Sequence, residues 1–403
     1  MNCAGSIPTT DILRVGLSVA AIAVFVAGCG GGSSGGSAQS APPPKFSYTI
    51  PADNGDGWQV ADLADEGFDV AGITKMMDRI LNGVFPGMDS VAIVRNDRLL
   101  LYWYDGAREF DQYDAWINNQ DRQRHALHST SKSFTSALIG IAIDKGYIVS
   151  TQIPFYGLFD YPDYLNPDPR KADMTLEDAL TMRLGLSWDE WSYPYTHPRN
   201  DLVALETINT DWPKALLDLP MSADPGTVFA YNTAATIAIG QALENAVDMP
   251  MADFANAYLF YPMQITNADW WRTPTGLPNG GSGLFLETRD LIKFGQLYLD
   301  GGNWQGQQLI SADWVAASIL THVDVSEAVS YSEGYGYQWW VDEFTYQGQP
   351  VEAWTTSGYG GQYVFCVPSL NLVVAFTGHN YGNSTGIENL YRMMQDYILP
   401  AIG

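Results

Sequence analysis

Ser129 and Lys132 stand three residues apart in the run His128-Ser129-Thr130-Ser131-Lys132-Ser133-Phe134-Thr135-Ser136. In a helix that spacing puts one side chain a turn above the other, so a lysine amine can lie beside a serine hydroxyl. A hydroxyl is a poor nucleophile until a base takes its proton. Lysine can serve as that base when burial disfavours its charged form and lowers its pKa. The pair therefore has the makings of an acyl-transfer nucleophile. Of the seven lysines only Lys132 has a serine three residues before it. Chance alone supplies roughly 0.4 such pairs in a chain of this composition, so the tetrapeptide needs support from elsewhere. By itself it reads more readily as a Ser/Thr-rich cap followed by a surface lysine.

Two distant segments offer that support. Pro225-Gly226-Thr227-Val228-Phe229-Ala230-Tyr231-Asn232-Thr233 is a turn running into a helix, and Tyr231 there is a candidate general base and acid, its phenol pKa lowered if a charged lysine lies near. Thr356-Ser357-Gly358-Tyr359-Gly360-Gly361-Gln362 reads as the opening of a strand. Its glycines allow backbone to approach a ligand closely, and a strand edge can aim an N–H at a developing oxyanion.

These residues need elements to hold them. Ala137 to Ile143 is apolar and ends at Lys145-Gly146, which predicts a buried helix opening near Ser129 and closed by a glycine. Ala71 to Leu81 predicts an amphipathic helix. Ser90–Val94 and Leu99–Trp103 predict a hairpin, and Gly361–Val367 with Asn371–Phe376 a second. Thr175 and Asp178 form a capping-box pattern, and further helices are expected near 202–206, 213–218, 233–246, 288–298 (capped by Thr288), 312–320 and 388–397. Strands at both ends and helices between them predict an α+β fold. One antiparallel sheet is built from both chain ends and flanked by helices, with a helical subdomain inserted.

Composition narrows the functions. The 403 residues carry a net charge of −25, with 20 Lys+Arg against 45 Asp+Glu, which argues against nucleic acid or a polyanionic substrate as partner. Residues 1–28 read as a signal peptide whose apolar run, Val15–Val26, is too short to span a membrane. The run closes on Ala27-Gly28-Cys29, which resembles a lipobox and makes Cys29 the expected lipidation site. The expected location is then a membrane facing the periplasm. Residues 29–45 form a Gly/Ser/Pro linker with a reach of roughly 20 Å, and 46–403 the folded domain. Cys366 has no partner for a disulfide and reads as a buried apolar residue. The histidines show no metal-ligand spacing, and neither metal nor cofactor is expected.

Taken together and in this order, the three segments resemble the serine β-lactamase/penicillin-binding-protein superfamily, in the branch of class C β-lactamases and related esterases. Gly283–Gly295, Gly302–Gly306, Gly334–Trp340 and Gly358–Gln362 are similar to the 6-aminohexanoate-dimer hydrolase type within that branch. The resemblance implies a β-lactamase/transpeptidase-like fold. It implies Ser129 as acylated nucleophile, Lys132 as its base, Tyr231 as proton carrier, and the N–H groups of Ser129 and Tyr359 as oxyanion donors. It places Thr233, Thr356, Ser357 and Gly358 at the substrate. Thr233 stands where the Tyr-x-Asn motif has Asn, and Thr356 where a lysine usually holds a substrate carboxylate. A carboxylate buried without a cation is unfavourable, so the expected substrate is a neutral ester or amide. The alternatives are a β-lactamase or D-alanyl-D-alanine carboxypeptidase and, from another class, a non-catalytic binding module of the cell envelope.

Overall fold

The two ends of the sequence meet in one sheet. The computed structural model describes residues 44–403; the signal peptide, Cys29 and the linker up to residue 43 lie outside the described residues. Nine strands form the main sheet: β1 (Gln59–Val60), β2 (Met88–Arg95), β3 (Arg98–Tyr104), β4 (Val323–Asp324), β5 (Gly334–Tyr335), β6 (Trp340–Tyr346), β7 (Gln349–Gly358), β8 (Gln362–Val367) and β9 (Leu372–Gly378). Their order is β1-β3-β2-β9-β8-β7-β6-β5-β4. The join between the two chain ends is the antiparallel pair β2–β9, with Val91 opposite Phe376. Every pairing is antiparallel except the short edge strand β1, which runs parallel to β3.

Helices cover both faces of this sheet, so β2, β8 and β9 are buried almost throughout and read as continuous apolar runs. One face, with Val91, Ile93, Phe365 and Val374, packs on α1 (Val70–Leu81) and on α5 (Ser384–Met393) through Met76, Met77, Leu390 and Met393. The other, with Ala92, Val364, Val373 and Ala375, packs on α2 (Ser131–Asp144) and α4 (Thr288–Leu299) through Phe134, Leu138, Ile292 and Phe294. Side chains of this size each contribute about 1.5–3 kcal/mol when fully buried. Gly295 is what lets α4 lie this close to the sheet. A Cβ there would come within 2.5 Å of a Val373 methyl.

The inserted segment between α2 and α4 is helical as expected. It contains Leu176–Leu180, with the Thr175–Asp178 capping box in place, Asp201–Glu206, Trp212–Leu217, and α3 (Thr233–Val247). Four expectations need correction. The hairpin β6–β7 is absent from the sequence reading, because Asp342, Glu343, Pro350 and Glu352 break its apolar pattern. Thr356-Ser357-Gly358 closes a strand rather than opening one. Thr288 is not the cap of α4. Glu287 holds that position, and the Thr288 hydroxyl meets Ser90 at 2.5 Å. The C-terminal helix begins at Ser384, where Asn383 caps it, four residues ahead of Glu388.

Candidate active site

The hydroxyl-rich run around Ser129 is explained by where its hydroxyls go. Ser129 sits in a single 3-10 turn, His128–Thr130, that feeds α2. Serine and threonine are mediocre helix formers because their hydroxyls compete for backbone partners. Here the partners belong to other segments. Thr130 donates to the Gln362 carbonyl (2.7 Å), Ser133 to the Gln338 carbonyl (2.7 Å) and Thr135 to the Gly280 carbonyl (2.8 Å), while Ser131 accepts from the Leu284 N–H (3.0 Å). The start of α2 is thus pinned on several sides, and of the five residues from Ser129 to Ser133 only Ser129 is not buried.

Lys132 is 1% exposed. Its Nζ donates to Ser129 Oγ (2.9 Å), Thr233 Oγ1 (2.9 Å) and the Gly281 carbonyl (2.8 Å). Burial pushes the amine down to about 8, against an opposing pull from the Glu190 carboxylate. Tyr231 lies beside Ser129, and its ring centroid is 4.9 Å from the Lys132 amine. The ring is held between Trp191 (5.2 Å) and Trp340 (5.9 Å), nearly parallel to both. The expected lowering of the Tyr231 pKa is overturned. Burial and then the Glu190 charge raise it, outweighing the contact with Ser129 that lowers it. Tyr231 is therefore a protonated phenol at neutral pH, suited to giving a proton rather than taking the first one.

Glu190 is the residue beside Lys132 that the sequence does not mark. It is 3% exposed and accepts four hydrogen bonds: Thr233 N–H (2.7 Å), Thr233 Oγ1–H (2.6 Å), Trp188 Nε1–H (3.1 Å) and Tyr195 O–H (3.0 Å). Because the Thr233 proton points to Glu190, the Thr233 oxygen is left to accept from Lys132. Thr233 is fully buried and engaged on both sides, so its assignment to the substrate is corrected: it orients the lysine. Trp188-Asp189-Glu190-Trp191 carries no sign of this in an acid-rich sequence.

The third segment arrives at the end of β7. Thr356 is fully buried, its oxygen accepting from Val364 N–H (3.2 Å) and lying 3.2 Å from Thr130 Oγ1. It too is withdrawn from the substrate-binding set, because its hydroxyl faces the core. Ser357 and Gly358 line the cleft that contains Ser129, as does Tyr359. The backbone N–H groups of Ser129 and Tyr359 donate to no other group among the described residues. Gly358 is required by close approach: a Cβ there would stand 2.3 Å from the Leu127 carbonyl, in the turn that carries Ser129. Gly358→Ala is expected to push β7 off that turn. Overpacking of this kind destabilises by about 1–3 kcal/mol. The check is a lower Tm together with a kcat loss larger than the stability loss accounts for.

The cleft at Ser129 has a volume of about 420 Å³, and its walls include Trp191, Tyr231, Trp340, Tyr331 and Ile387. Among the described residues no Lys, Arg or His lines it, and Glu388 is its one charged residue. His128 does not act on Ser129 as a base would. Burial and the Lys132 charge push it down to about 3, and its ring packs edge-on to Tyr113 at 4.5 Å. Cys366 is buried and unpaired, with a thiol raised by burial. No cluster of three or more metal-ligating side chains occurs among the described residues.

An antiparallel sheet flanked by helices, with a Ser-x-x-Lys helix start facing a tyrosine and a glycine-bearing strand end, defines the serine β-lactamase/transpeptidase class of fold. The chain belongs to the β-lactamase family, whose model matches residues 46–395. It is 24% identical over 234 residues to a 6-aminohexanoate-dimer hydrolase from Paenarthrobacter ureafaciens, which takes in 54% of this chain and 57% of that relative. The chain thus spans little more than half the length of that curated relative. Among solved structures it is similar to a β-lactamase/D-alanine carboxypeptidase from Yersinia pestis (TM-score 0.61, 15% identity, 83% of this chain and 100% of that one). A penicillin-binding protein from Bacillus halodurans is also similar (TM-score 0.58, 16% identity, 79% and 99%).

Proposed function

We propose that this member of the β-lactamase family is a serine hydrolase that cleaves neutral esters or amides through an acyl-enzyme on Ser129. The observation that carries this reading is the Lys132 amine. It is buried, brought down to about 8, and 2.9 Å from the Ser129 hydroxyl. Neutral Lys132 takes the Ser129 proton as Oγ attacks the carbonyl carbon. The Ser129 and Tyr359 N–H groups receive the oxyanion. The proton passes by way of Tyr231 to the leaving oxygen or nitrogen, and water then releases the acid. Among the described residues no Lys, Arg or His lines the cleft and one carboxylate does, which supports a substrate without a carboxylate at the reacting end, because an anion there would meet Glu388. Export, and attachment to a membrane through a lipid on Cys29, belong to this proposal on the sequence pattern alone.

The test is to trap the intermediate. After rapid acid quenching of a reaction with p-nitrophenyl acetate, mass spectrometry of the digested protein should find an acetyl group on the peptide bearing Ser129. Acetyl elsewhere, or none in the presence of steady turnover, would contradict the proposal.

A further inference from the structure

Two cavities meet at Ser129, and they differ in size and in what they expose. The aromatic cleft of about 420 Å³ includes Tyr231 in its wall. The second, of about 60 Å³, lies past the Tyr195–Tyr359 ring pair (5.1 Å apart) and is walled by Tyr113, Trp116, Leu202 and Val203, with His128, Ser282 and the Glu206 carboxyl, raised to about 7 by burial, also on its lining. Ser129, Tyr195 and Tyr359 border both; Tyr231 borders only the larger.

That asymmetry assigns the two halves of a substrate. When Ser129 Oγ has bonded to the carbonyl carbon, the bond that breaks next is the one from that carbon to the leaving oxygen or nitrogen. The leaving atom departs with the proton that came from Ser129. The donor beside Ser129 is the Tyr231 phenol, so the leaving atom faces the larger cleft. The other substituent of the same carbon, the acyl chain, then points the opposite way. The small cavity, at about 60 Å³ against about 420 Å³ for the aromatic cleft, has room for a short acyl group and not for a long one. Resting on the acyl-enzyme reading above, we infer that the alcohol or amine half occupies the aromatic cleft and the acyl chain the small cavity, so that short acyl groups on bulky apolar alcohols are the preferred substrates. The balance is simple: R–CO–O–R′ and Ser129–OH give Ser129–O–CO–R and R′–OH, and water returns Ser129–OH and R–COOH.

The experiment is a series of 2-naphthyl esters from acetate to octanoate, with kcat/KM measured for the wild type, Ser129→Ala, Trp116→Ala, Val203→Ala and Trp340→Ala. The wild type is expected to lose about tenfold or more between butanoate and octanoate. Trp116→Ala and Val203→Ala, which widen the small cavity, should flatten that fall. Trp340→Ala should raise KM for all the naphthyl esters and leave the chain-length slope unchanged. Val203 is only half-buried, so its truncation carries the test should the Trp116 variant fail to fold. A wild-type profile that is flat or rises with chain length overturns the inference. So does a slope that moves with Trp340→Ala instead of with the other two. Either result with turnover still abolished by Ser129→Ala leaves the acyl-enzyme reading standing. Turnover that survives Ser129→Ala, or no turnover of any ester, overturns both.

Discussion

Ser129→Ala is expected to lower kcat/KM on a p-nitrophenyl ester by about 10³-fold or more, and Lys132→Met to do nearly as much, with the double variant no worse than either single one. Residues that act as one unit lose their effect together, because without the nucleophile the base has nothing to deprotonate. Each variant keeps enough of the surrounding contacts to fold. Alanine at 129 leaves Lys132 with Thr233 Oγ1 and the Gly281 carbonyl as partners. Methionine at 132 is close in length, removes a charge that burial already disfavours, and leaves the buried Gly281 carbonyl unsatisfied, which costs about 1–3 kcal/mol. Tm should therefore fall moderately for Lys132→Met and little for Ser129→Ala. Steady-state rates and thermal melts on the three variants check this. Single losses that multiply in the double variant, or a Ser129→Ala enzyme within tenfold of wild type, would remove the shared mechanism.

The parts of this site that were legible in the sequence are those with local spacing. Ser129 and Lys132 are one helical turn apart, and the helix that carries them is an apolar run with a clear end. The hairpins β2–β3 and β8–β9 are short apolar stretches separated by turn residues. These features depend on neighbours in the chain, so one sequence suffices to see them. What was not legible depends on long-range packing. Glu190 becomes part of the site because Trp188, Tyr195 and Thr233 close around it, and nothing within a few residues of Glu190 marks it as buried. The same holds for Thr233 and Thr356. Their positions in the motifs suggested contact with substrate, but the pleat and the helix turn direct both hydroxyls inward. The strand pair β6–β7 was hidden because Asp342 is a buried acid, held by Ser332 (2.6 Å) and Tyr391 (2.7 Å), inside what would otherwise alternate cleanly. A carboxylate at a core position is what pattern reading excludes.

Glu190 yields the second large expected effect, and its sign follows from the hydrogen bonds around it. The neutral amine of Lys132 is the active form, so kcat/KM should rise with pH through about 8 and level off above it. In the window from about 8 to the ordinary lysine value of 10.5, the unfolded chain holds a proton that the folded chain has lost. Stability contributed by this group therefore also rises with pH there. Glu190 opposes the effect of burial by raising the Lys132 pKa. Glu190→Gln removes that charge, so the rising limb should move to lower pH. It should also lower the plateau. An amide NH2 in place of Oε1 can donate to Thr233 Oγ1, turning the threonine proton toward Lys132 and occupying the lone pair that must receive the serine proton. A misdirected base forfeits part of a proton-transfer advantage of about 10²–10⁴, so a fall of about 10–100-fold in plateau kcat is expected. Glu190→Asp keeps the charge and should hold the limb near 8 even if its plateau drops. A residue that only braced the loop would lower Tm or the plateau and leave the midpoint where it was. Full pH profiles of the wild type, Glu190→Gln and Glu190→Asp separate the two, and an unmoved midpoint in Glu190→Gln would show that this carboxylate does not act on the site through Lys132.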